Sequence, residues 1–112
     1  MDEKIRDLYQ STYQISYDFL IEQKRDNIEK VRKIIPQIQE FVLWFMNGNR
    51  FGIDEELYQE MQTYLLQVLE DITDAIAQED RVLLHDAISY GMMEYLKMLI
   101  DPGQEEMEDG NI

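Results

Sequence analysis

The chain contains no cysteine, so disulfides, thiolate nucleophiles and cysteine-held metal or iron–sulfur sites are excluded. It has a single histidine, His85. That rules out the paired Glu-x-x-His motifs of di-iron bundles and the His-Glu-x-x-His of zinc hydrolases. Two prolines and five glycines in 112 residues are too few for a low-complexity or linker-rich chain. The longest apolar run is six residues, Phe41 to Met46, against the ~20 needed to span a bilayer. Met1-Asp2-Glu3-Lys4 does not begin the basic-then-apolar order of a signal peptide, and no Asn-x-Ser/Thr sequon occurs. A soluble, cytoplasmic protein without nucleic-acid or membrane partners is the expectation.

Bases are also scarce, and unevenly so. Residues 1–50 hold eight acids and eight bases, whereas residues 51–112 hold sixteen acids and only Arg81 and Lys97 as bases. The whole net charge of −14 therefore falls on the second half. Such a field repels nucleic acid and anionic lipid. Lys24, Arg25, Lys30, Arg32 and Lys33 cluster in the neutral half. They read as a solvated corner between helices, or as a docking spot for an acidic partner or for the acidic half of a second copy.

What is abundant is apolar residues at helical spacing; strand alternation is missing. The first helix is predicted over about 3–24, with Ile5, Leu8, Ile15 and Phe19 as its apolar face and Thr12 and Ser16 near the centre. Tyr9, Tyr13 and Tyr17 follow one edge at four-residue steps, as a core margin or as the wall of a groove for a partner helix. The second is predicted over 27–47. Asp26 and Glu29 are spaced as a capping pair, and Ile28, Val31, Ile35, Ile38, Val42 and Phe45 form a seam. Pro36 either kinks or breaks it. Gly48 is available for a left-handed C-cap. The third is predicted over 54–78, N-capped by Asp54, with Leu57, Met61, Leu65, Val68, Ile72 and Ala75 inward. The fourth, over 81–100 with Asp80 as N-cap, has two apolar faces. One is Leu84, Ala87, Ile88, Gly91, Tyr95, Met98 and Leu99; the other is Val82, Met93, Leu96 and Ile100. Gly91 is costly inside a helix, which points to a close crossing. Short connections imply an all-α, up-down-up-down four-helix bundle over 1–101, followed by a disordered acidic tail over 102–112.

No chemical motif stands out. P-loop, Gly-x-Gly-x-x-Gly, Gly-x-Ser-x-Gly and EF-hand patterns are missing. The rival to a non-catalytic reading is a divalent-metal phosphohydrolase using Asp71, Asp74 and Asp86, because an i, i+3 pair shares one helix face. His85 reads as a hydrogen-bonded histidine at the edge of the apolar face. The expectation is a protein that is not an enzyme and needs no cofactor. The remaining signal is apolar surface beyond the needs of the core. Leu43, Trp44, Val82, Met93, Leu96 and Ile100 are the candidate interface residues, for a protein partner or a homodimer, unless Phe51 covers Trp44 and the first helix covers the rest.

Residues 78–90, Gln-Glu-Asp-Arg-Val-Leu-Leu-His-Asp-Ala-Ile-Ser-Tyr, resemble a pattern in small bacterial all-helical proteins of unknown function. There an acidic turn precedes Val-Leu-Leu, Asp and Tyr. Phe41-Val42-Leu43-Trp44-Phe45, closing the helix before, is similar too. The resemblance implies a fold and no activity. In size and helix count the chain also looks like flagellin-type export chaperones, which implies apolar grooves that bind a partner's helix.

Overall fold

The computed structural model describes residues 2–49 and 51–100. The expected tail, 102–112, lies outside the described residues. Helix α1 spans Asp2–Leu20, α2 Asn27–Met46 and α3 Glu55–Ala77. The fourth helix is composite: α4 (Arg81–Asp86), a π-helical segment (Ala87–Met92) and α5 (Met93–Leu99) run on without a break. The four helices pack compactly, alternating in direction, and no strand occurs among the described residues. The fourth helix is touched by all three others, with α1 along α5 and the π segment, α3 along α4 and the π segment, and α2 against α4.

Several ends differ from the sequence reading. The first helix stops at Leu20, where Gln23 takes a left-handed φ of 57° and the Lys24 N–H turns back to the Asp18 carbonyl. Asp26 and Asp54 stand at N-cap positions without capping through their side chains. Asp26 and Glu29 instead pair with Lys30 and Arg81. Asp80 does cap, its Oδ1 accepting from the Leu83 N–H at 3.0 Å. The left-handed glycine is Gly52, not Gly48, and the left-handed residue that closes α3 is Glu79. Helix α2 passes unbroken through Pro36. Pro36 and Arg32 are both exposed, so the carbonyl that proline leaves without a donor faces water.

The core contains the expected faces of α1 and, with two exchanges, those of α2 and α3. Ile34 and Phe41 are buried where Ile35 is only half-buried, and Tyr58 is buried while Leu57 is exposed. Tyr58 can go inside because its hydroxyl donates to the Phe45 carbonyl. Phe45 is the hub of an aromatic cluster, with ring centroids 5.3 Å from Tyr58, 5.6 Å from Tyr95 and 6.1 Å from Phe41.

The π segment corrects the reading of the fourth helix. In an α-helix each four-residue step overshoots a full turn by about 40°. The row Leu84, Ile88, Met92, Leu96 would therefore swing out of the core. A π turn is wider, with bonds reaching five residues back, as from the Met93 N–H to the Ile88 carbonyl. It rotates the row inward again, and all four side chains are buried. Met98, placed inside by strict α-periodicity, is exposed instead.

Gly91 lies against α3. A Cβ there would stand 3.1 Å and 3.3 Å from the two methyls of Val68, which is itself buried and stiff at χ1. Gly91→Ala should lower stability by about 1 kcal/mol net, since overpacking outweighs the gain in helix propensity. Thermal unfolding checks this, and a stabilised variant would show that Val68 gives way.

Candidate functional site: exposed apolar surface on a charge-divided bundle

Of the six candidate interface residues, the structure leaves two freely in water. Leu43 is 71% exposed and Val82 61%. Trp44 is half-buried, with the Phe51 ring packed edge-on at 5.7 Å. Met93 and Ile100 are half-buried, and Leu96 is fully buried, on a helix that α1 flanks. The second apolar face of the fourth helix is thus largely used inside the bundle, and Leu96 belongs to the core.

A run of exposed apolar residues lies on α1 and just past its end. Tyr13, Tyr17, Leu20 and Ile21 follow one another at steps of four, three and one, and all are exposed, Leu20 at 61%. The rings of Tyr13 and Tyr17 are stacked at 6.5 Å, and Tyr9 continues the ladder at 6.4 Å from Tyr13. The tyrosine edge was visible in the sequence. Leu20 and Ile21 were missed, although they sit three and four residues beyond Tyr17 and off the Ile5–Phe19 face.

The strip adjoins the basic corner, where Lys30 meets two acids and Arg25 an aromatic ring. Lys30 binds Asp18 at 2.9 Å and Asp26 at 3.2 Å; Arg81 reaches Glu29 at 3.5 Å; Arg25 lies 4.9 Å over the Phe19 ring. The hydrogen bond from Lys30, joined by one from Gln14, holds the Asp18 carboxyl below the usual carboxylate range, and Asp18 in turn raises Lys30. The folded chain binds that Asp18 proton less readily than the unfolded chain. Its contribution is present above about pH 3.9 and fades as pH falls through the lower folded value. Urea midpoints measured from about pH 5 to about pH 2 should therefore fall less steeply for Asp18→Asn. An unchanged slope would assign acid sensitivity elsewhere.

Behind this corner the buried Ser16 Oγ, Asn27 Oδ1 and His85 Nδ1 find no hydrogen-bond partner among the described residues. His85 is buried rather than marginal. It stacks on Phe19 at 5.0 Å and meets the Tyr90 ring edge-on at 6.4 Å. Asn27 spends its amide on the Arg81 carbonyl, at 2.9 Å.

The other side is acidic. Helix α3 carries no Lys or Arg, and a shallow depression along it includes Glu56, Glu60, Tyr64 and Gln67 in its lining. Asp71 accepts from Gln67, and Asp74 and Asp86 are exposed. Among the described residues no three of His, Asp or Glu come together to hold a metal ion. The Asp71, Asp74, Asp86 set is not assembled. The Tyr95 phenol, whose O–H donates to the Met61 carbonyl at 2.9 Å, is held protonated well above the ordinary tyrosine range, chiefly by burial.

Comparison with protein-family models, curated proteins and solved structures finds no match to this chain. Among the described residues, no helix is long and apolar enough to cross a membrane.

Proposed function

We propose that this domain is a non-catalytic helical interaction module, an adaptor or self-associating bundle, that binds protein through the outer strip of α1. One observation carries the reading: Tyr13, Tyr17 and Leu20 on α1, and Ile21 just after its end, are all large apolar residues left exposed at helical steps. Isolated exposed apolar residues are ordinary, but a contiguous row at helical spacing marks a binding surface. Two tyrosines stacked in register present a rigid apolar wall with polar tips, suited to a partner helix laid alongside. The charge division supports the same choice of face. The neutral half carries the strip, so protein, including a second copy, approaches there with least repulsion.

The test is site-specific photocrosslinking in the native cell. A crosslinker at Tyr17 should trap one protein, either a partner or a second copy, and the same group at exposed Asp74 should not. Leu20→Ser combined with Ile21→Ser should abolish the adduct. No adduct above the Asp74 control would refute the reading.

A further inference from the structure

The strip on α1 is bracketed by charges whose order matches itself in reverse. Arg6 stands one turn before Tyr9 and two before Tyr13, so it heads the same helical line, and Asp2 lies one turn ahead of it. At the other end Glu22 and Lys24 follow Ile21, where the Lys24 N–H turns back to the Asp18 carbonyl and holds this short segment against the helix end. Asp2, Arg6, Glu22 and Lys24 are all exposed, and none makes an ion pair among the described residues. Lys4 and Asp7 line the groove toward α2 instead, where Lys4 meets Glu40. Between the two ends the flanking side chains are Gln10 and Gln14, which carry no charge. In chain order the line reads acid, base, apolar stretch, acid, base.

Resting on the reading that the α1 strip binds protein, we propose that its occupant is a second copy of this chain, docked α1 against α1 in antiparallel orientation about a two-fold axis. Antiparallel alignment sets Arg6 of each copy against the partner's Glu22, and Asp2 against the partner's Lys24, while the tyrosines close on one another between them. Parallel alignment would set each charge against its own kind. Repulsion between two acidic chains does not forbid the contact. Helix α3 carries six acids and no base, and α1 and α3 each pack chiefly on α2 and the fourth helix rather than on each other. An α1–α1 contact therefore sends the two α3 helices to the far sides of the dimer, roughly three helix spacings of about 8–10 Å apart. A Debye length of about 8 Å at physiological salt screens them at that range. The rival self-contact would set Lys24, Arg32 and Lys33 of one copy on α3 of the next. It is heterologous, leaves the tyrosines in water and grows into open chains instead of closing at two.

Sedimentation equilibrium of the full chain should show a reversible monomer–dimer equilibrium with no larger species. Arg6→Glu and Glu22→Arg should each weaken the dimer about tenfold, since symmetry places the new like charges at both ends of the contact. Arg6→Glu combined with Glu22→Arg should return the affinity to within about twofold of the original. Within one chain the two positions lie at opposite ends of α1, roughly 24 Å apart at about 1.5 Å per residue, so the rescue reports contact between copies. Circular dichroism should be the same for all three variants, because both positions are exposed. A double variant as weak as the single ones, or a purified chain that stays monomeric up to about 1 mM, would overturn the proposal. So would open-ended growth that Glu60→Lys with Asp74→Lys suppresses, which marks the head-to-tail contact. The Tyr17 photocrosslink separates this failure from failure of the strip itself. If the purified chain is monomeric, an adduct to a different protein overturns only the second copy, and no adduct refutes both.

Discussion

Leu96→Asp is expected to unfold the domain, while Val82→Asp leaves it intact. Read by α-helical period alone the two residues share an outer face, yet Leu96 is 0% exposed and Val82 61%. A carboxylate at Leu96 would be buried on a face where α1 flanks the helix, with its charge unpaired. That costs several kcal/mol, comparable with the roughly 5–15 kcal/mol that holds a domain together. At Val82 the new charge meets water, and stability should change by no more than about 0.5 kcal/mol. Circular dichroism during urea titration distinguishes them. Equal, small effects would return Leu96 to the surface and remove the argument for the π segment's role.

Phe45→Ala should be the costliest of the simple truncations. Phe45 is almost fully buried and meets Phe41, Phe51, Tyr58 and Tyr95, and its carbonyl accepts the Tyr58 hydroxyl. Removing the ring leaves a cavity that three other helix-borne rings cannot all close upon. The loss should be about 3–5 kcal/mol, or roughly 15–30 °C in Tm for a chain of this size. Phe51→Ala, at the partly exposed rim of the same cluster, should cost far less. Similar losses in both variants would mean that the cluster is not centred on Phe45.

Local rules held at several points within single helices, though not at the expected Asp54 cap or the Gly48 C-cap. The Asp80 cap, the face of α1 from Ile5 to Phe19 and the close crossing at Gly91 could all be read from spacing and residue type. They were less reliable where two helices negotiate. Tyr58 displaces Leu57 because a carbonyl on α2 accepts its hydroxyl, a partner that α3 cannot supply. Asp26 forgoes its cap because Lys30 stands between it and Asp18. For the candidate surface, the tyrosine edge was legible. Its extension to Leu20 and Ile21 was not, because the helix ends earlier than composition suggests and both side chains are left off its buried face.

The sequence by itself determined that the chain is all-helical, that four amphipathic segments with short connections make a bundle, and that the charge is divided between its halves. These follow from period, turn chemistry and counting, which need no partner element. Only the tertiary structure decided which apolar side chains are surplus. A helix face is defined by what lies opposite it, and one π turn between Ala87 and Met92 exchanges Leu96 for Met98 at the surface. Hydrogen bonding nearly as well in the wide turn as in the α-helix, the backbone yields there to core packing, because bringing Met92 and Leu96 out of water stabilises more than regularity does, at about 1.5–3 kcal/mol for each such side chain.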